Sequence, residues 1–146
     1  MPRPLVGVLA LQGDFARCGA IMGTCAGLIV SANRLVESRM QTLALLDIRV
    51  ERNGFGRQAQ SFIDRVDLDL DGTRARVEGV FIRAPRIREM GEGVTVLGRW
   101  KNEAVMVRSD RVLALTFHPE MTPDTTVHRY FVRNMVLNTN HSAGAA

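Results

Sequence analysis

The pentapeptide Gly23-Thr24-Cys25-Ala26-Gly27 sets a thiol between two glycines, the G-x-nucleophile-x-G spacing of a nucleophile elbow. The physical requirement is crowding: a strand that turns directly into a helix holds the central residue in a strained conformation, and only small neighbours let the two elements approach. A thiol at such a helix N-terminus is expected to gain thiolate character from the helix dipole. Taken alone, a cysteine in a glycine-rich turn is more often a buried apolar residue; the flanking glycines and the helical pattern that follows favour the nucleophile. Three histidines could act as its base: His118, His128 and His141. His128 falls inside a closing helix and His141 in a polar tail. His118 instead follows the apolar run Val112 to Phe117, within Phe117-His118-Pro119-Glu120, and strand ends of this kind are where α/β sheets collect reactive groups. Glu120 can turn back across the Pro119 corner and orient the imidazole, the third role in a triad. The competing reading is that His118 closes a strand and Glu120 caps the next helix. Paired with the elbow, Cys25-His118-Glu120 is the better account.

The elements that must position these groups can be read from hydrophobic period. Leu5 to Leu11 is a short apolar run suited to a strand buried on both faces of a parallel sheet. From Cys25 onward Leu28, Ile29, Ala32, Leu35 and Val36 recur at helical spacing, which predicts an amphipathic helix ending around Glu37 to Arg39. Strands are expected over Leu43–Val50, Phe62–Leu70, Val77–Ile82, Val94–Trp100, Ala104–Val107 and Val112–Phe117. Within the second, Val66-Asp67-Leu68-Asp69-Leu70 alternates, so one face should be solvated. Turns are expected at Asp71-Gly72, Gly91-Glu92-Gly93 and Ser109-Asp110. Thr122-Pro123 has the form of a helix start, with Val127, Tyr130, Phe131 and Met135 as the buried stripe.

Composition bounds the function. The 146 residues are 46% apolar and 23% charged, an ordinary globular balance for one domain over residues 1–140, with a frayed tail at 141–146. Nineteen basic residues oppose fifteen acidic ones, and only Lys101 among the basic residues is lysine. Arginine is spread along the chain and aromatics are 5%, which argues against a nucleic-acid partner; the one local knot is Arg83, Arg86 and Arg88. No apolar run approaches the ~18 residues of a membrane span, and Met1-Pro2-Arg3-Pro4 lacks the features of a secretory signal. Cys18 and Cys25 cannot build a disulfide framework, and their spacing is not a metal signature. The expectation is a cytoplasmic protein without a membrane association, metal or cofactor.

Five segments carry a family resemblance: Val8-Leu-Ala-Leu-Gln-Gly13, Gly23-Thr-Cys-Ala-Gly-Leu28, Arg52-Asn53 with Phe55-Gly-Arg-Gln58, Phe81-Ile-Arg-Ala-Pro85, and Phe117-His-Pro-Glu120. In this order they resemble the glutaminase subunits of pyridoxal phosphate synthase, which are class I glutamine amidotransferases. The resemblance implies an α/β, flavodoxin-like three-layer sandwich. It implies that Cys25 attacks the side-chain amide of L-glutamine, that His118 relays protons and Glu120 orients it, and that Arg52, Ile82 and Arg83 bind the substrate. Ammonia would pass to a barrel-shaped synthase subunit that makes pyridoxal phosphate, a cofactor this chain would not itself hold. Between about Asp14 and Gly23 the sequence departs from the family, lacking a stretch that includes strand and helix units and a Pro-Gly-Gly-Glu-Ser loop of the oxyanion hole. A shortened splice form, a gene-model error or a divergent subunit would each leave this pattern. The alternatives are a catalytically silent binding or regulatory subunit of the same complex, docking through Gln12-Gly13-Asp14, and another thiol hydrolase or an amidotransferase of a different pathway.

Overall fold

A computed structural model describes residues 19–52 and 61–138 of the chain. The expected strand at Leu5–Leu11, the edge Gln12-Gly13-Asp14, Cys18, the segment Phe55–Gln58 and His141 lie outside the described residues. A six-stranded sheet runs, in order, through Ile21–Thr24, Val112–Leu115, Glu103–Arg108, Thr95–Trp100, Ser61–Leu70 and Thr73–Ile82, and a three-stranded sheet through Ala32–Leu35, Leu46–Glu51 and Arg86–Met90.

The elements in chain order are β1 (Ile21–Thr24), α1 (Ala26–Ser31), β2 (Ala32–Leu35), β3 (Leu46–Glu51), β4 (Ser61–Leu70), β5 (Thr73–Ile82), β6 (Arg86–Met90), β7 (Thr95–Trp100), β8 (Glu103–Arg108), β9 (Val112–Leu115) and α2 (Thr126–Tyr130). A 3-10 turn covers Pro119–Met121, and a π-helical stretch over Phe131–Val136 prolongs α2. β1 and β9 pair in parallel with Thr24 opposite Leu115. The pairings of β9 with β8, β8 with β7, β7 with β4 and β4 with β5 are antiparallel.

Local chemistry explains most of these elements. Asp71 and Gly72 both take positive φ, 56° and 95°, as a two-residue hairpin turn requires. The turn is held by the Gly72 N–H, which donates to the Asp69 carboxylate at 2.8 Å. In β4 the alternation is as expected: Val66 and Leu68 are buried, Asp67 and Asp69 exposed.

β9 is buried at every position, and its side chains divide between two cores. Leu113 and Leu115 join Val66, Leu68, Phe81, Leu97, Met106 and Phe117 beneath Val127, Tyr130, Phe131 and Met135 of the closing helix. Val112 and Ala114 join Leu28 and Ala32 with Leu46, Ile48 and Val50 of the smaller sheet. The closing helix, the large sheet, and α1 with the small sheet therefore form three layers around two apolar interiors.

Two expected elements are corrected. The helix that was to reach Glu37–Arg39 ends at Ser31, and Ala32 turns extended at φ −63°, ψ 150° to begin β2. A register irregularity between Ala32 and Arg34 puts two positions three residues apart, Ala32 and Leu35, against the same core, so a bulged strand imitates helical spacing. The final helix starts at Thr126 rather than at Thr122-Pro123. Thr122, restricted by the following proline, is extended at φ −124°, ψ 157° and closes the 3-10 turn. The Asp124 carboxylate then accepts the N–H of Thr126 at 2.8 Å.

Side chains also fasten the hairpin turn to the closing helix. The Tyr130 hydroxyl donates to the Asp71 carboxylate at 2.9 Å and accepts from the Arg108 guanidinium at 2.8 Å. Burial, ahead of the opposing Arg108 hydrogen bond, pushes the Tyr130 phenol above its usual range, so it stays a neutral donor. Tyr130→Phe is expected to cost about 1–2 kcal/mol, because two polar groups lose a shared partner. A urea midpoint equal to that of the parent would show that the turn is held without this clamp. Of the basic knot, Arg86 is paired with Glu103 and Arg88 with Glu51, tying β6 to β8 and to β3.

Candidate active site

The site is built where three strand ends meet. Cys25 is the residue after β1, and its N–H donates to the carbonyl of Leu115, the last residue of β9, at 2.8 Å. His118 leaves the same end of β9 three residues later. The large sheet curls so that its other edge returns here: the His118 N–H donates to the Val80 carbonyl of β5 at 2.9 Å, and the Cys25 Sγ donates to the Ile82 carbonyl at 3.7 Å. The rings of Phe81 and Phe117 lie 5.7 Å apart beneath this junction and fix the two segments together.

The elbow has the strain its sequence implies. Cys25 sits at φ 51°, ψ −102°, between strand and helix. A Cβ built on Gly23 would lie 2.7 Å from the carbonyl carbon of Gly27 and 2.8 Å from its oxygen, whereas one on Gly27 would meet nothing within 4 Å. The close approach is therefore made at Gly23 alone. Ser31 Oγ donates to the Gly27 carbonyl at 2.7 Å, which closes the short helix on itself.

His118 Nδ1 and Glu120 Oε1 are 2.6 Å apart, with His118 half-buried and Glu120 exposed. A carboxylate at that distance favours the tautomer with its proton on Nδ1 and leaves Nε2 as the acceptor. The expectation that the helix end would favour the thiolate is corrected. Burial pushes the Cys25 thiol above its ordinary value; the Ala26 N–H opposes this and the Glu120 charge adds to it. The helix behind the thiol is six residues long, too short to outweigh desolvation.

The remaining site candidates are placed differently. Ile82 reaches Cys25 through its main-chain carbonyl. Arg83, next along, is exposed and holds a positive φ of 44°. Arg52 is exposed just past β3. Among the described residues, no hydrogen bond or ion pair joins the side chain of Arg52 or Arg83 to Cys25, His118 or Glu120. The Val80 carbonyl was not singled out from the sequence; main-chain acceptors leave no signature in residue type. No group of three or more His, Cys, Asp or Glu residues is placed to hold a metal among the described residues.

A profile of the SNO glutamine amidotransferase family matches residues 14–137. The chain belongs to the SNO glutamine amidotransferase family. Among relatives, it is 45% identical over 120 residues to the pyridoxal 5'-phosphate synthase subunit PdxT of Niallia circulans, a match covering 82% of this chain and 62% of that protein. It is 47% identical over 119 residues to the same subunit of Oenococcus oeni, covering 82% and 61%. A solved glutamine amidotransferase superposes with a TM-score of 0.72 at 46% identity, covering 77% of this chain and 59% of that one. The fold is thus that of a class I glutamine amidotransferase. The chain spans about three-fifths of the length of the SNO-family relatives it matches. No helix among its described residues is long and apolar enough to cross a membrane.

Proposed function

We propose that this chain is a glutaminase subunit, hydrolysing L-glutamine to glutamate and ammonia and handing the ammonia to a synthase subunit that makes pyridoxal 5'-phosphate. The observation that carries the reading is the convergence of Cys25 and His118 at the ends of the paired strands β1 and β9, with Glu120 against His118 Nδ1. In this reading the Cys25 proton passes to His118 Nε2 as the sulfur adds to the side-chain carbonyl of glutamine. His118 returns that proton to the departing nitrogen, so ammonia leaves and a glutamyl thioester remains. Water, deprotonated by the same imidazole, then frees glutamate and restores the thiol. Glu120 holds the ring and stabilises the imidazolium. Arg52 and Arg83 are proposed to meet the substrate's α-carboxylate, a task suited to a guanidinium. A single amidotransferase domain over residues 1–140, with a tail at 141–146, and a cytoplasmic location belong to the same reading.

The test is direct: the chain, mixed with a pyridoxal phosphate synthase barrel subunit, should release ammonia and glutamate from glutamine in equal amounts. Stable co-purification without any release would replace this reading with that of a silent binding subunit. A thioester trapped from ester or peptide substrates but not from glutamine would point to another thiol hydrolase.

A further inference from the structure

The contact between Cys25 and the end of β5 has an unusual polarity. A nucleophilic sulfur profits from N–H donors, yet besides the Ala26 N–H it meets here the Ile82 carbonyl at 3.7 Å, an acceptor that only a protonated thiol can satisfy. The peptide unit that presents this carbonyl is also strained on its far side. Arg83 carries a side chain at φ 44°, in the left-handed region that L-residues other than asparagine and aspartate rarely enter. Both features belong to one peptide bond. Turning that unit over by half a turn would carry Arg83 from positive to negative φ, and would replace the carbonyl with the Arg83 N–H. Ile82 is the last residue of β5, opposite Ser61, so no strand continues beyond the unit to resist the rotation.

We propose that the Ile82–Arg83 peptide is a two-position switch: with its carbonyl toward Cys25 it parks the thiol in protonated form, and with the Arg83 N–H toward Cys25 it stabilises the thiolate for attack. The inference rests on the assignment of Cys25 as the nucleophile. In the second position the thiol proton goes to His118 Nε2, and the sulfur exchanges an acceptor it repels for a donor it attracts. Among the described residues, the Glu120 charge acts on the sulfur; the segment after β9 also carries His118 and the chain after β5 carries Arg83, whereas β1 and the first turn of α1 carry no titratable group besides Cys25 itself. The direction agrees with a thiol raised by burial in the parked state. Arg83 is therefore a positioning residue through its backbone, apart from any role of its guanidinium.

The experiment compares side chains at position 83 that differ in tolerance of positive φ. The readout is the pH midpoint of iodoacetamide alkylation of Cys25 in the full chain without glutamine, with Cys25→Ser giving the background. Arg83→Ala and Arg83→Gly both remove the guanidinium, but only glycine removes the left-handed penalty and so favours parking. The glycine midpoint should lie about one pH unit above that of alanine, a tenfold change in thiolate population. Arg83→Val, which tolerates positive φ least, should lie below alanine. Coincident midpoints for alanine, glycine and valine in folded protein overturn the switch, even if glutamine is turned over normally. Separated midpoints, with no glutamine turnover by the parent chain beside its synthase subunit, would leave the switch standing and remove the glutaminase reading.

Discussion

Cys25→Ala is expected to bring ammonia release from glutamine, in the presence of the synthase subunit, down to the uncatalysed background, a loss of at least about a thousandfold. The size follows from the chemistry. Amide cleavage through a thioester needs a nucleophile that departs again, and an alanine methyl offers none. Cys25 is only partly buried, and its thiol donates only weakly, to the Ile82 carbonyl at 3.7 Å. Truncation therefore leaves a small void, and the urea midpoint should move by less than about 1 kcal/mol equivalent. Activity and stability are thus separable at this position. Residual turnover within tenfold of the parent, in a variant of unchanged midpoint, would remove Cys25 from the reaction.

The parts of this fold that were legible in the sequence are those fixed by neighbours along the chain. The alternation of Val66 to Leu70 and the Asp71-Gly72 turn together define a hairpin, because pleat and turn act within a few residues. β2 was hidden because its bulge sets Ala32 and Leu35 three residues apart against one core, and a period rule has no means to distinguish that from a helix turn. The start of α2 moved because Pro123 stiffens the residue before it and Asp124, not Thr122, supplies the acceptor.

The site divides in the same manner. Cys25, His118 and Glu120 stand out by residue type, and their convergence follows from two strands that pair in parallel. The carbonyls of Val80 and Ile82 come from a different edge of the sheet, brought round by its curl, and every residue type offers a carbonyl. What holds the imidazole backbone and what faces the sulfur were for that reason invisible beforehand. The direction of the thiol's ionisation was misjudged for a related cause. A helix N-terminus is visible in a sequence, but the desolvation that opposes it depends on what the rest of the chain stacks above it.

Gly23→Ala should be the most damaging single methyl added to the elbow, and its contrast with Gly27→Ala tests whether the turn's geometry or merely its small residues matter. The added Cβ at Gly23 meets backbone atoms of Gly27 at 2.7 and 2.8 Å, which cannot swing aside as a side chain would. Either β1 or α1 must shift, and β1 is held in register along β9 while the N–H of Cys25 is tied to Leu115. Overpacking of this kind costs about 1–3 kcal/mol. Any relief gained by moving α1 displaces the sulfur relative to His118, and misplacement by about 1 Å is enough to cost on the order of a hundredfold in rate. Gly27→Ala meets open space and adds a good helix former in the first turn, so stability should be unchanged or rise by up to about 1 kcal/mol. Urea midpoints of the two variants, read beside their ammonia release, decide the matter. Equal midpoints would mean that strand and helix are not in the close contact on which the strained Cys25 conformation depends, and that the sulfur is aimed by something other than the elbow.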